Sequence, residues 1–302
     1  MANAVLPSVS AAPRRRSPLK ATTEPAWIRG LLITVTVAFI FCFLVFPLFI
    51  VFQESLSRGV QVYWTSLRDP DTAHAVRLTL TVAAIVVPLN TIFGLAAAWA
   101  VSKFEFPGKR ILVTFIDLPL WVSPVVAGLM FVILFGRNGV LHDFFWNGTR
   151  QTIPVLFATP GLVLATLFVT FPFVARILIP LMQSQGSTEE EAAIILGARG
   201  WQVFVYVTLP KIRWGLFYGI ILCNARAMGE FGAVSAVSGH IAGKTNTIPL
   251  QIETLYLNGS MDAAFALSTV LSMLALLTLI VKSVVEWLAA LQAKNAIDDG
   301  TG

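Results

Sequence analysis

The stretch LLITVTVAFIFCFLVFPLFIVF, residues 31–52, is apolar throughout apart from Thr34 and Thr36 and carries no charge. A helix must supply about 20 apolar residues to cross the hydrocarbon core of a bilayer. The stretch therefore reads as a membrane span, and it decides the fold class. Working outward, five more runs of the same character follow, at roughly Leu78–Val101, Ile111–Phe135, Pro160–Met182, Trp214–Ser238 and Ala263–Leu291. Pro88, Pro119, Pro124 and Pro172 fall inside three of them. In a bundle, neighbouring helices satisfy the carbonyls that proline frees, so kinked spans are expected there. The expectation is an all-α integral membrane protein with six transmembrane helices.

Composition agrees. Hydrophobic residues make up 56% of the 302 residues and charged residues 12%, against about 25% charged in soluble domains. So few charges cannot cover a water-facing surface, and lipid is the implied partner. The net charge of +5 does not point to nucleic acid, because the basic residues sit between apolar runs, where they control topology. With the N-terminus inside, the inner segments hold Arg14, Arg15, Arg16, Lys20, Arg29, Lys103, Lys109, Arg110, Arg199, Lys211, Arg213 and Lys294. The outer ones hold Arg58, Arg68, Arg77, Arg137, Arg150 and Lys244. Twelve against six puts both termini in the cytoplasm. Residues 1–30 read as a flexible cytoplasmic tail, 31–291 as the transmembrane domain, and 292–302 as a second tail. Arg15-Arg16 looks superficially like an export signal, but the run behind it is too long for a cleaved leader, and the pair reads as a basic flank.

The long inner loop, residues 183–213, carries the most specific pattern. Ser187 and Glu190 are spaced as a capping box. Glu189, Glu190 and Glu191 suit the positive end of a helix dipole, and Gly197 and Gly200 are placed to end that helix. A second amphipathic stretch, Trp201 to Leu209, runs into Pro210. Ala192 and Ala193 present almost no side chain and would let a partner surface approach closely; a merely solvated interfacial helix is the alternative.

Glu191-Ala192-Ala193, three residues, Gly197, nine residues, then Val207-Thr208-Leu209-Pro210 resembles the "EAA loop" of permease subunits in binding-protein-dependent ABC importers, with Val207 where the family has Ile. Ser123 to Leu129, Ser184 to Ser187, Asn224 to Ala227 and Gly229 to Ser235 resemble the sulfate/thiosulfate permeases of that family. The likeness covers roughly residues 30–290. It implies a type I importer (MetI-like) fold and a partnership of this chain with two ATPase subunits, a second permease subunit and a periplasmic sulfate- or thiosulfate-binding protein. ATP and Mg would be bound by the ATPase subunits, with no cofactor in this chain. The resemblance assigns Glu191, Ala192, Ala193, Gly197, Leu209 and Pro210 to coupling with the ATPase. Permeases for molybdate, tungstate and phosphate share the loop and remain alternative readings. So do a secondary transporter, which ordinarily shows inverted repeats, and a membrane scaffold.

A charge at mid-bilayer costs about 2.5–3.5 kcal/mol on insertion scales, so Asp117, Arg176, Arg226 and Glu230 must face protein or water. Arg226 and Glu230, four apart, share a helix face. With Asn224 and Ser235 they form either a polar line along a translocation path, where Arg offers forked donors to an oxyanion, or a structural ion pair. Arg176 belongs to that path or snorkels at an inner end, and Asp117 is placed to cap a kink at Pro119. Gly215 and Gly219 form a GxxxG pair suited to close helix contact.

Enzymatic chemistry finds little support. Gly239-His240-Ile241-Ala242-Gly243-Lys244-Thr245 is one residue too short for a P-loop and reads as an external loop, so energy is expected from another subunit. His74, His142 and His240 are scattered and suggest no metal site. Cys42 and Cys223 lie inside apolar runs and read as packing residues. Asn147-Gly148-Thr149 and Asn258-Gly259-Ser260 match a glycosylation pattern too short to weigh.

Overall fold

The computed structural model describes residues 25–136, 139–141 and 155–299. The basic tail residues Arg14, Arg15, Arg16 and Lys20, together with Arg137, His142, Asn147 and Arg150, lie outside them. Contacts divide the chain into two units, Met1–Phe49 and Ile50–Gly302. In the first, the described residues from Ala26 on are one apolar helix. α1 runs from Ala26 to Ile40, passes through a π-helical turn at Phe41–Val45, and continues as Phe46–Leu56. None of its most apolar window is buried within the chain.

The second unit is a helical bundle. α2 (Val60–Arg68) leads into α3 (Pro70–Lys103). Asp69 caps α3 by accepting the Thr72 amide at 3.2 Å, and Pro70 takes the first turn, where its missing N–H costs nothing. Pro88 is held inside α3 without breaking it. Then come α4 (Lys109–Trp121) and α5 (Pro124–Phe135), α6 (Thr159–Gln185), α7 (Thr188–Ile195) and α8 (Gly200–Met228). The chain closes with α9 (Gly232–Ser238), α10 (Ile248–Leu257) and α11 (Met261–Asp299).

α1, α3, α6 (through a turn at Phe171, just before Pro172) and α11 are helices long and apolar enough to span a membrane. The other two expected spans are bent pairs. α4 and α5 meet at 107°, α8 and α9 at 48°. Among the described residues there are up to six spans, if each pair counts as one. The α4–α5 bend is far sharper than the kink expected for Ile111–Phe135. Pro119 is tolerated inside α4, whereas Pro124 forces a break. A residue before proline is pushed out of the α region, so Ser123 is extended (ψ 134°) and Pro124 starts a new helix.

Two other prolines are absorbed by widening. Pro47 and Pro210 each follow a five-residue π segment, Phe41–Val45 and Phe204–Thr208. Proline clashes with the carbonyl four residues back. For Pro47 and Pro210 those carbonyls belong to Phe43 and Tyr206, each at the centre of its π segment. There the hydrogen bonds shift to i→i−5, as from Phe46 N–H to the Phe41 carbonyl. The second amphipathic stretch therefore does not stop at Pro210; it continues as α8.

α3, α6 and α8 pack against one another, α8 against α11, and α9 against α5. Small residues set the closest approaches, as lipid-facing bundles require. A Cβ at Gly94 on α3 would lie 2.9 Å from the Val174 Cβ of α6, and the Gly215 and Gly219 face of α8 meets Leu181 and Val174 of the same helix. One apolar layer gathers Leu78, Val86, Leu162, Val169 and Leu250. A second gathers Ala98, Val174, Leu178, Met182 and Ile212. Buried Asn90 joins three helices, donating to Thr170 Oγ1 at 2.7 Å and to Cys223 Sγ at 3.7 Å.

A close contact with backbone joins α5 and α9. A Cβ on Gly128 would sit 2.5 Å from the Ala233 carbonyl oxygen and 2.7 Å from the Ala236 Cβ. Backbone cannot yield as a side-chain tip can. Gly128→Ala is therefore expected to destabilise the protein by about 1–3 kcal/mol through overpacking, read as a lower thermal midpoint in detergent. Gly30→Ala, where a Cβ meets nothing within 4 Å, serves as the neutral comparison.

Candidate functional site: a helical hairpin at one end of the bundle

α6 ends at Gly186 (φ 68°). Three glutamates then open α7. The helix closes in a Schellman motif: Gly197 (φ 90°) donates to the Ile194 carbonyl at 2.9 Å, and Ala198 to that of Ala193 at 3.0 Å. Only glycine adopts this left-handed cap without strain. Gly200, expected to share in ending α7, instead begins α8. The Arg199 amide donates to Gln202 Oε1 at 2.7 Å, capping that start.

The expected capping box is not formed, since the Ser187 side chain makes no cap bond. Its hydroxyl donates to the Glu191 carboxylate instead. Glu190 turns toward the bundle. One carboxylate oxygen lies 2.8 Å from the Lys103 ammonium at the end of α3, and the other accepts from Thr208 Oγ1 at 2.7 Å. For the Glu190 carboxylate an ion pair with a half-buried ammonium outweighs a bond to a helix-end amide, where only the acceptor carries a full charge. Glu189 pairs with Lys211 at 2.8 Å.

This arrangement leaves one face of the hairpin free. Glu191 and Ala192 are exposed and Ala193 is half-buried. Beyond them Ile194, Ile195 and Leu196 are 58%, 85% and 88% exposed. Three consecutive apolar side chains thus stand uncovered beside small alanines, rimmed by carboxylates, as one exposed apolar patch. Leu209 is half-buried and Pro210 exposed, on the far side of the π segment. Sequence reasoning did not single out Lys103, Thr208 or the Ile194–Leu196 tip. The three adjacent apolar letters after Ala193 were the available signal for the tip; Thr208 stood within the Val207–Pro210 pattern, and Lys103 offered only its charge.

The polar residues of the spans engage different partners. Arg226 Nη1 lies 2.7 Å from Glu230 Oε2, so the two share a face. Glu230 is buried, and its Oε1 accepts the Ala233 amide at 2.9 Å. The pair bridges the break between α8 and α9. Arg176 lies 3.4 Å from Asp117, tying α6 to α4; Asp117 thus faces another helix rather than capping the Pro119 turn. Asn224 lines an apolar cavity of about 320 Å³ between α3, α8 and α11. Ser235 lies 3.4 Å from the His240 ring. The Gly239–Thr245 segment is a turn whose Thr245 hydroxyl donates to the Ser238 carbonyl at 2.8 Å. The next helix begins only at Ile248, so no helix N-terminus opens at this turn to receive phosphate. Among the described residues no group of histidine, cysteine and acidic side chains is placed to hold a metal ion.

Comparison with known proteins places this geometry. Residues 90–294 match the family described as "Binding-protein-dependent transport system inner membrane component". The chain is 47% identical over 253 residues to the sulfate transport system permease protein CysW of Escherichia coli strain K12, covering 84% of this chain and 86% of the relative. It is 49% identical over 270 residues to the chloroplastic sulfate permease 2 of Chlamydomonas reinhardtii, covering 89% and 72%. Against the E. coli permease protein CysT identity is 33% over 241 residues, covering 80% and 86%. The fold matches a chain of a bacterial alginate ABC transporter crystallised with its alginate pentasaccharide-bound periplasmic protein, at TM-score 0.72 and 18% identity, covering 85% of this chain and 92% of that one. The chain is a multi-pass membrane protein and belongs to the family of binding-protein-dependent transport system inner membrane components.

Proposed function

We propose that this chain is one permease subunit of an ATP-binding-cassette importer for sulfate or thiosulfate. It forms half of the transmembrane path, beside a second permease subunit, and receives the anion from a soluble binding protein. Separate ATPase subunits, which bind ATP and Mg, grip the hairpin through Glu191, Ala192, Ala193 and the Ile194–Leu196 tip. Both termini and the hairpin lie in the cytoplasm. The observation that carries this reading is the hairpin itself: its acidic residues are spent on internal contacts while its apolar tip is left uncovered. The relatives named for sulfate supply the substrate. Gly197 shapes the tip, and Leu209 and Pro210 lead from it into α8.

Arg226, Glu230, Asn224, Ser235 and Arg176 are the polar residues proposed along the path or its gate. Arg226 is the strongest of them. Its side chain is 33% exposed, and only part of its five-donor fork is engaged by Glu230, so donors remain for an oxyanion. Glu230 is fixed by a helix amide and stays as the counter-charge when the anion leaves.

Two outcomes follow. Ile195→Asp combined with Leu196→Asp places charges on the tip, and co-purification of the ATPase subunits with the tagged permease is expected to be lost; retained co-purification would overturn the docking role. Arg226→Ala is expected to lower uptake of radiolabelled sulfate about tenfold at normal expression, the size of one lost charge-assisted contact. Undiminished uptake would remove Arg226 from the path.

A further inference from the structure

The side chains behind the docking tip define a clamp. Lys103 Nζ lies 2.7 Å from the Gly186 carbonyl oxygen and 2.8 Å from Glu190 Oε2. Glu190 Oε1 accepts from the buried Thr208 hydroxyl at 2.7 Å. Side-chain exposure is 12% for Lys103 and 14% for Glu190, so this pair is shielded from the salt and water that weaken exposed ones. Four segments meet there: the end of α3, the end of α6, the first turn of α7 and the π segment of α8.

The backbone alone would hold α7 loosely. Its two ends are Gly186 and Gly197, both at positive φ, with no heavy atom within 4 Å of where a Cβ would stand. Such positions absorb dihedral change readily. The other side-chain tie, Glu189 to Lys211, has its carboxylate side chain 64% exposed and is screened accordingly. An α7 pushed by a motor would therefore swivel between two glycines unless the clamp held it.

We propose that Lys103 is a positioning residue of transport: it locks α7 to α3, so that displacement of the docking hairpin moves α3 with it rather than spending itself in the glycine joints. α3 in turn packs directly on α6 and α8, with the Gly94–Val174 contact leaving no room to slip. The stroke thus enters the bundle through two helices, α8 by chain continuity and α3 by the ammonium. This rests on the reading of the hairpin as the docking site of an ATPase.

The test uses the complete transporter, both permease subunits with ATPases and binding protein, reconstituted in liposomes. Three quantities are measured: ATPase retained in the complex, ATP hydrolysed, and sulfate moved per ATP. Lys103→Met keeps the stem and removes the charge; Glu190→Gln keeps the shape. Both are expected to retain the ATPase and hydrolyse ATP, while sulfate moved per ATP falls about tenfold, the scale of hydrogen bonds to a charged group being lost. Lys103→Arg, which keeps donors and charge, is expected to restore most of the ratio. An unchanged ratio in both Lys103→Met and Glu190→Gln overturns the proposal. So does loss of the ATPase from those complexes, which would make the clamp an assembly element. Absence of the ATPase from the wild-type complex would instead overturn the docking reading beneath it.

Discussion

Inside hydrocarbon no water is available to a stray amide or carbonyl, so each backbone polar group must be satisfied within the protein. The architecture follows from how this chain meets that demand around its prolines. Pro88 and Pro119 stay inside helices, Pro47 and Pro210 are preceded by π turns, and Pro124 opens a fresh helix after a 107° bend. The two broken spans then depend on each other. α5 and α9, the short segments beyond the breaks, lie together at Gly128 and Ala233 so closely that a single methyl group would not fit.

Charges within the bundle obey the same economy. Glu230 is buried, and a lone carboxylate there would carry a desolvation penalty of several kcal/mol. Arg226 and the Ala233 amide relieve it. Because that amide belongs to the segment beyond the break, the carboxylate also fixes how α9 leaves α8. Asp117 and Arg176 perform a similar service between α4 and α6. A pair that neutralises itself still holds unused guanidinium donors, so the structural contact leaves room for the transport role proposed for Arg226.

At the hairpin the division of labour is by side chain. Glu189 and Glu190 face the bundle and bind Lys211 and Lys103, while the next turn carries apolar groups outward. One short helix thereby has an anchored face and an uncovered apolar face. A helix this short would not be stable alone; its glycine cap ends it, and its ion pairs define its position.

Much of this was legible in the residue order. Runs without charge must be spans because the bilayer has a set thickness, and the Glu-Ala-Ala pattern with Gly197 marks a short capped helix because only glycine suits the left-handed turn that ends it. The Arg226–Glu230 pair was visible because four residues make one helical turn. What tertiary structure decided were the contacts between residues far apart in the chain: Lys103 with Glu190, Asp117 with Arg176, Gly128 with Ala233. The capping-box expectation at Ser187 failed for the same reason. A local rule weighs only neighbours in sequence, whereas a carboxylate goes to the strongest partner in space, and folding alone brings an ammonium from another helix within reach.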